Sequence, residues 1–324
     1  MTIYEVAKRA GVSASTVSRV FNGLKVSPNL IPPVQQAAAE LGFTPNRAAR
    51  ALRTQTSEVI GLIVADIENP FFTALAVGVE DTLQAAGFSV MLGNSGELED
   101  KERSYLDVAL SQRLAGVIIT PTTDHTDVST LLELNRPVVA VDRALADDSV
   151  DSVLADNFGG GRAATETLIQ RGFQRIACIV GPSATQTAED RARGWRDAMR
   201  THGLNIDLER YLVHAAAKLE GGQQAFVQLM QLAEPPDAIF VGHNLMAIGV
   251  LEEMIPTGRT PETFGISVFG DLPFVGLVPH GLHLITLPAR ELGATAARVI
   301  LERIAGDDQP PRTIVIPSPS AIII

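Results

Sequence analysis

The stretch that decides the fold runs from Ile3 to Gly23 and reads IYEVAKRAGVSASTVSRVFNG. Its first half places apolar residues at helical spacing and is followed by Gly11, so we expect a short amphipathic helix and a sharp turn. Ser13 can cap a second helix that buries Val17. Two short helices joined by a glycine turn are typical of a helix-turn-helix, whose second helix fits the major groove of DNA. An ordinary helical hairpin has the same spacing, so the pattern by itself leaves both interpretations open.

The residue identities in this stretch are more specific than their spacing. The pattern V-A-x-x-A-G-V-S-x-S-T-V-S-R-V-x-N-G, from Val6 to Gly23, resembles the DNA-binding head of the LacI-type (LacI/GalR family) transcriptional repressors. The resemblance implies that Ala14, Ser15 and Arg19 face base edges, with Arg19 suited to guanine. The head residues that we expect to contact DNA are Tyr4, Ala14, Ser15, Thr16, Ser18, Arg19 and Asn22.

Charge is distributed unevenly along the chain. The 324 residues carry a net charge of −11, yet residues 1–57 contain seven lysines and arginines and only two glutamates. The head is therefore cationic, which favours binding to DNA through the release of condensed counterions. The acidic remainder should repel nucleic acid and keep the protein in solution.

Two adjacent prolines, Pro32 and Pro33, lie at positions that belong to the third helix of the head in LacI-type proteins. An interior proline loses a hydrogen bond and clashes with the preceding turn, at a cost of about 3 kcal/mol. The run from Val34 to Leu41 has a helical pattern, and Gly42 ends it. We therefore expect the regular helix to begin near Pro33, after an irregular segment from Ser27.

The segment from Phe43 to Arg53, FTPNRAARALR, connects the head to the rest of the chain. It is too short to be a stable helix in isolation, so a plain basic linker is one interpretation. The resemblance to LacI-type repressors implies another, in which the segment folds on the operator as a hinge helix and Leu52 wedges into the minor groove. Asn46, Ala49 and Arg50 would then pack the paired hinges or contact phosphates.

From residue 59 onward, apolar strands alternate with amphipathic helices. The predicted strands are 59–65, 88–93, 116–120, 138–142, 153–156, 175–180, 238–242, 266–270 and 283–287. Predicted helices between most of them include 72–87, 103–113, 161–171, 190–202, 221–232 and 245–254. This alternation predicts two parallel sheets with helices on both faces. The family resemblance implies a two-lobed core like that of periplasmic sugar-binding proteins.

The length suits two or three domains. We expect an all-α helix-turn-helix head at 1–45, a hinge at 46–58 and a two-lobed α/β domain for effector binding and dimerisation at 59–324. Lobe 1 is predicted at about 59–155 and 284–318, and lobe 2 at about 156–283.

Nothing in the sequence indicates export or membrane insertion. No apolar run approaches the length of a membrane span, and the first residues contain no basic and apolar leader. The single cysteine, Cys178, excludes an internal disulfide and lies in the apolar run RIACIV, where we expect a buried strand position rather than a nucleophile. A cytoplasmic location is therefore expected.

Polar and aromatic residues follow several of the predicted strands. Ligands of open parallel sheets bind at the carboxyl ends of the strands. Carboxylates, amides, arginines and phenylalanines at those ends suit a polyhydroxylated ligand, whose hydroxyls exchange hydrogen bonds and whose apolar face packs on a ring. The predicted ligand-binding residues are Asp66, Phe71, Asp142, Arg143, Asp156, Arg191, His243, Asn244 and Asp271. Arg191 begins an R-A-R-G stretch that resembles the family's R-x-x-G element, and Asp156 has an alternative role as a helix cap.

Two departures from the LacI-type pattern bear on the ligand. The family's N-D-L-M-A is H-N-L-M-A here, so Asn244 replaces a carboxylate beside the imidazole of His243. The family's G-F-D-D is replaced by F-G-D-L, so Asp271 can match either aspartate. A lost carboxylate and a nearby histidine both tolerate an anion, which favours an acidic or phosphorylated sugar.

Other chemistries have no support in the sequence. The three glycines at 159–161 lack the spacing of a P-loop or a dinucleotide-binding fingerprint. The six histidines show no metal-ligand spacing. The sequence also contains no nucleophile elbow of the G-x-S-x-G type. We therefore expect no enzymatic activity, no cofactor and no metal. The favoured hypothesis is an effector-responsive repressor that binds a near-palindromic operator in double-stranded DNA as a homodimer, without membrane contact. The alternative is a solute-binding protein of a sugar transport system.

Overall fold

The chain divides into two units, residues 1–57 and residues 58–324. The structure, a computed structural model, describes residues 1–21, 25–43, 57–204, 206–272, 280–318 and 320–322. Within these ranges, no helix is both long and apolar enough to cross a membrane.

The first helix of the head is fixed at both ends by its own sequence. Helix α1 (Ile3–Ala10) begins at a capping box, in which Thr2 and Glu5 exchange hydrogen bonds between side chains and backbone N–H groups. It ends at Gly11, whose φ of 67° is the left-handed conformation that glycine adopts without strain. The turn predicted at this glycine is confirmed.

The second helix follows directly and packs on the first. Helix α2 (Ala14–Phe21) is capped by Ser13, whose Oγ accepts a 3.1 Å hydrogen bond from the backbone N–H of Thr16. Val6 of α1 and Val17 of α2 are both fully buried in the core of the head. The predicted helix-turn-helix is therefore confirmed.

The third helix accommodates its prolines in its first turn. Helix α3 (Ile31–Glu40) follows a single 3₁₀ turn, Pro28–Leu30. Pro32 and Pro33 lie where backbone N–H groups have no intrahelical partner, so their missing donors cost little. The prediction that the α-helix begins near Pro33 is confirmed to within two residues, but the expected irregular lead-in is wrong, because that segment is a 3₁₀ turn.

The described part of the second unit contains two six-stranded sheets. Their strands are β1 (Val59–Val64), β2 (Ser89–Asn94), β3 (Gly116–Ile119), β4 (Val138–Val141), β5 (Asp151–Ala155), β6 (Ile176–Val180), β7 (Leu212–His214), β8 (Ala238–Val241), β9 (Gly265–Phe269), β10 (His283–Ile285), β11 (Thr313–Ile316) and β12 (Ser320–Ile322). The strand orders are β11-β5-β4-β3-β1-β2 and β12-β10-β9-β8-β6-β7. The described strand pairs are parallel except that of β10 with β12, which is antiparallel.

Helices connect most of these strands. They are α4 (Pro70–Ala85), α5 (Glu99–Ser111), α6 (Ser129–Glu133), α7 (Asn157–Gln170), α8 (Gln186–Thr201), α9 (Leu219–Met230), α10 (Asn244–Met254) and α11 (Ala289–Ile304). We call the sheet of β1 to β5 and β11 with its helices lobe 1, and the sheet of β6 to β10 and β12 with its helices lobe 2. The predicted α/β fold of two parallel sheets is confirmed, while the predicted residue limits of head, hinge and lobes stay a prediction.

The nine predicted strands are all present, with ends that differ by one or two residues. The strands β7, β11 and β12 and the helices α6 and α11 are absent from the prediction. The three strands have only three or four residues each, too few to show a periodic pattern.

The core of lobe 2 shows how its apolar strands are covered. Trp195 of α8 is fully buried, and its Nε1 donates a 3.1 Å hydrogen bond to the carbonyl of Ile176 in β6. Cys178 lies two residues further along β6, and burial raises the pKa of its thiol. The predicted strand position of this cysteine is confirmed.

Candidate functional site

A cavity of about 250 Å³ lies between the two lobes, at the carboxyl ends of their strands. Its lining comes from segments that follow β1, β2 and β4 in lobe 1 and β6, β7 and β8 in lobe 2. The predicted ligand-binding residues that line it are Asp66, Phe71, Asp142, Arg143, Arg191, His243 and Asn244. The fold therefore brings together side chains that are up to 178 residues apart in the sequence.

Asp156 and Asp271 do not line this cavity. Asp156 caps α7, since its Oδ1 accepts a 2.8 Å hydrogen bond from the backbone N–H of Gly159, as the alternative interpretation of this residue predicts. Asp271 is exposed, and its carbonyl rather than its carboxylate is involved near the cavity, where it accepts a hydrogen bond from Asn244. A ligand-binding role for these two carboxylates stays a prediction.

Arg191 is a buried cation of the cavity wall. Its Nε donates to Asn157 Oδ1 at 2.8 Å, and its Nη1 donates to the carbonyl of Gly242 at 2.7 Å. The guanidinium also stacks over the ring of Phe269, 4.1 Å from the centroid. Burial lowers the pKa of Arg191 to about 10, so the side chain remains charged at neutral pH. Its hydrogen-bond and stacking partners are neutral groups. The charge of Asp142 acts on it as well, but no described carboxylate forms a salt bridge with Arg191, so its guanidinium can pair with an anion.

Glycines in two helices allow this arginine to be placed. Gly194 of α8 lies against α7 so closely that a Cβ would clash with the carbonyl of Phe158. Gly161 of α7 is equally close to the backbone of Arg191. Larger residues at either position would push the helices apart, so the glycine of the R-A-R-G stretch has a packing role.

Lobe 1 supplies the acidic wall of the cavity. Asp142 follows β4 with a left-handed φ of 70° and is only 6% exposed, and burial raises the pKa of its carboxyl. Arg143 makes a bidentate ion pair with Glu97, with Nη1 and Nη2 at 2.8 and 2.6 Å from its two oxygens. Arg143 Nε is buried and has no hydrogen-bond partner among the described residues. An oxygen of a bound ligand would satisfy it.

Two buried amides connect the lobes beside this wall. Asn244 Nδ2 donates to Asn69 Oδ1 at 3.0 Å, and Asn69 Nδ2 donates to Asn244 Oδ1 at 3.3 Å. His243 Nε2 lies 3.4 Å from Asn69 Nδ2. Burial, reinforced by the charges of Arg191 and Arg143, lowers the pKa of His243 to about 3, so the imidazole is neutral at physiological pH.

Several residues of the cavity wall are absent from the prediction. They include Asn69, Phe72, Glu97, Thr185, Lys218 and Phe269. Asn69 and Glu97 have a signal that sequence analysis can use, because each follows a strand of lobe 1 closely. Lys218 follows β7, which is too short to be recognised. In the described part of the chain, no group of three or more His, Cys, Asp or Glu residues is placed to hold a metal ion.

The described part of the head presents a polar face on α2. Ser15 and Arg19 are exposed, as is Tyr4 of α1, whereas Thr16 and Ser18 are half-buried. Ala14 is also half-buried and packs partly against the core of the head, so only part of it is free for DNA. The remaining predicted DNA contacts, Asn22, Asn46, Ala49, Arg50 and Leu52, lie outside the described residues.

Comparison with known families follows this division of the chain. Residues 57–322 match the model of the periplasmic binding proteins and sugar binding domain of the LacI family. Residues 2–46 match the model of the bacterial regulatory proteins of the lacI family. The chain belongs to the LacI family. The resemblance noted in the head therefore extends over nearly the whole chain, and the head and the core are the family's DNA-binding and sugar-binding domains.

Individual relatives match nearly the whole chain. The ribose operon repressor of Halalkalibacterium halodurans is 34% identical over 305 residues, which cover 94% of this chain and 90% of the relative. The complex of the transcriptional regulator CelR with cellobiose is 28% identical, with a TM-score of 0.75 and coverage of 100% of this chain and 99% of that one. The Lac repressor dimer bound to operator and the anti-inducer ONPF is 25% identical, with a TM-score of 0.85 and coverage of 100% and 98%. All three relatives are named as repressors or regulators of transcription.

Proposed function

We propose that this LacI-family chain is a cytoplasmic transcriptional repressor whose affinity for its operator is controlled by a sugar-like effector. One observation carries the proposal: the same chain joins a helix-turn-helix with exposed Ser15 and Arg19 to a cavity lined by carboxylates, amides and arginines. The first feature suits base edges of DNA, and the second suits the hydroxyls of a sugar. Relatives named as repressors support the first part, and a relative in complex with cellobiose supports the second.

We infer that the chain acts as a homodimer. One head contacts only a half-site, so two heads related by a two-fold axis are needed to bind a near-palindromic operator. The Lac repressor relative is a dimer on its operator, which supports this arrangement. In the dimer the two hinge segments would pair, with Leu52 of each subunit in the minor groove.

The effector is, in our proposal, a sugar that carries a carboxylate or a phosphate. Lobe 2 contributes the cations Arg191 and Lys218 to the cavity wall, and neither forms a salt bridge with a described residue. Lobe 1 contributes Asp66, Glu97 and Asp142. Hydroxyls directed at lobe 1 and an anionic group directed at lobe 2 would match both walls.

The angle between the two lobes would control the affinity for DNA. An effector that contacts both walls stabilises one angle between the lobes, and the lobe angle determines whether the hinges of a dimer can pair. The effector would therefore shift the population between states with high and low affinity for the operator, as far as its affinities for the two states differ.

The test is fluorescence anisotropy of the full chain with DNA that flanks its own coding region, repeated over a range of salt concentrations. We expect specific, salt-sensitive binding, weakened at least about fivefold in Arg19→Ala, since a bidentate contact to guanine is worth about 1–3 kcal/mol. Arg193→Ala removes an exposed arginine from lobe 2, outside the head, and is the matched control, for which we expect unchanged DNA binding. The absence of any salt-dependent preference, with or without sugars, would contradict the proposal. Sugar binding without DNA binding would support a solute-binding protein instead.

The effector class is tested separately by isothermal titration of the full chain with ribose, ribose 5-phosphate, glucose 6-phosphate and gluconate. We expect at least one of the three anionic probes to bind more tightly than ribose, and added salt to weaken that difference. A clear preference for the neutral sugar would exclude the anionic class and leave the proposal of a sugar-responsive repressor intact.

A further inference from the structure

Asn69 lies at the junction of the two lobes, in an orientation that the backbone fixes. It is the N-cap of α4, where its Oδ1 accepts a 3.0 Å hydrogen bond from the backbone N–H of Phe71. Because only the oxygen of the amide can accept, this bond determines which atom is Oδ1 and which is Nδ2. The Nδ2 group is thereby directed toward lobe 2, where Asn244 and His243 lie within hydrogen-bond distance.

Asn244 is oriented in the same way by its own backbone. Its Oδ1 accepts a 2.9 Å hydrogen bond from the N–H of Leu245. Its Nδ2 donates to Asn69 Oδ1 and, at 3.3 Å, to the carbonyl of Asp271. Two amides with fixed orientations thus exchange hydrogen bonds across the cleft, and each is about 95% buried. An aspartate at 244, as the family pattern has it, would place a carboxylate oxygen against two acceptors, so the two asparagines are matched to each other.

The same amide determines the protonation of His243. Asn69 Nδ2 can only donate, so His243 Nε2 must accept, and the neutral ring carries its proton on Nδ1. Nδ1 is buried and has no hydrogen-bond partner in the described part of the protein. A buried N–H without a partner is unfavourable, and His243 lines the cavity. A ligand oxygen is a suitable acceptor for it.

We propose that Asn69 is a positioning residue with two roles. Its hydrogen bonds with Asn244 join the two lobes, and its contact with His243 holds the imidazole as the tautomer protonated on Nδ1. The imidazole then selects an effector with an acceptor oxygen at that point. The inference rests on the proposed function in one respect, that the cavity binds the effector. It adds a residue outside the predicted site and a reason for the amide at 244. It also assigns His243 a neutral donor role, which requires no charge on the ring.

Three variants separate this role from that of a helix cap. Asn69→Ser keeps an N-cap oxygen and neutrality but is too short to reach Asn244 or His243. Asn69→Asp keeps the cap and the acceptor for Asn244 but replaces the donor to His243 with an acceptor. Asn135→Asp adds the same charge at an exposed position of lobe 1 away from the cavity and serves as the control.

The first measurement is the ring ¹⁵N NMR spectrum of the full chain labelled on histidine, with the His243 signals assigned by their loss in His243→Asn. We expect a protonated Nδ1 and an unprotonated Nε2 in the wild type and in Asn135→Asp. In Asn69→Asp, Nε2 should become protonated, because it then faces a carboxylate. A wild-type ring protonated on Nε2, or an unchanged tautomer in Asn69→Asp, would overturn the assignment.

The second measurement is the affinity for ribose 5-phosphate and ribose, with the melting temperature recorded for each variant. We expect Asn69→Ser to bind the better of the two probes about tenfold more weakly while it melts within a few degrees of the wild type, since the cap is retained. An affinity within twofold of the wild type would refute the proposed role of the contact between Asn69 and Asn244. The tautomer measurement needs neither DNA nor sugar. If the wild-type protein does not bind its operator, only the proposed function is contradicted. If the His243 tautomer differs from the expected one, only this inference is contradicted.

Discussion

The two lobes of the core share one strand order but carry opposite charges on the walls of the cavity. In both sheets the first strand of the lobe lies between the second and the third, and a strand from the end of the chain is added at the far edge. Among the described residues, lobe 1 nevertheless lines the cavity with Asp66, Glu97 and Asp142 and a single arginine, whereas lobe 2 lines it with Arg191 and Lys218 and no carboxylate. The shared topology therefore provides equivalent positions at the strand ends, and the loops assign chemistry to those positions independently.

The strand ends of the two lobes show this independence directly. Asp142 and Arg143 follow β4 and line the cavity, but Asp271, which follows the corresponding strand β9, does not. Glu97 follows β2 and neutralises Arg143, whereas Lys218 follows the corresponding strand β7 and forms no salt bridge with a described residue. An effector with two chemically different ends would fit such a cavity better than a symmetric one.

The largest effect should come from removal of the buried cation of lobe 2. We expect Arg191→Gln to weaken binding of the best anionic probe about 100-fold, or ~2.7 kcal/mol, because it removes charge-assisted hydrogen bonds in a desolvated site. Isothermal titration measures this, with Arg193→Gln, an exposed position on the same helix, as the control. Retention of affinity within threefold, in a variant that still folds cooperatively, would mean that the lobe-2 wall does not hold the effector.

A smaller effect should distinguish the charge of lobe 2 from its shape. Lys218 is exposed at the cavity wall, so its contribution is screened by water and salt. We expect Lys218→Gln to weaken ribose 5-phosphate binding by up to about tenfold at low salt, while ribose binding changes less than twofold. The exposed Lys101→Gln on lobe 1 should leave both unchanged. Equal losses for the two sugars would show that lobe 2 does not recognise an anion.

The smallest effect concerns the stability of the acidic wall. Burial raises the pKa of Asp142, so its protonated form is favoured in the folded state, and this contribution to stability is present below its ordinary pKa of 3.8 and is lost as pH rises through the raised value. The amide introduced by Asp142→Asn cannot ionise. The free energy of unfolding of this variant, relative to wild type, should therefore increase as pH rises through the raised pKa of Asp142 in the folded wild type.

Denaturant unfolding at several pH values measures that difference, and Asp124→Asn at an exposed position of the same lobe is the control. If the difference decreases with rising pH, then the attraction of Arg143 and Arg191 for the ionised carboxyl outweighs its desolvation. That result would mean that the acidic wall is stabilised by the cations across the cavity and is not independent of them.

Much of the fold follows from the sequence because its signals are local. The glycine turn at Gly11, the cap at Ser13 and the alternation of apolar strands with helices each depend on residues within a few positions of one another, and all three are confirmed. The first-turn position of Pro32 and Pro33 follows from the same local rules. The short edge strands lack a comparable signal. Helix α11 does have apolar residues at helical spacing, Leu292, Ala296 and Val299, although it is absent from the prediction.

Local sequence signals predict only part of the residues that form the site. The sequence identifies which polar residues follow strands, and Asp66 and Asp142 are two of these that line the cavity. Their ligand-binding role stays a prediction. The sequence does not determine that Asp156 turns toward its own helix, since a capping carboxylate and a ligand-binding one have the same neighbours in sequence. The pairing of Asn69 with Asn244 joins residues 175 positions apart on different lobes. Such a pair is decided by tertiary structure alone, because the hydrogen bonds exist only after the chain has crossed between the lobes and brought the two strand ends together.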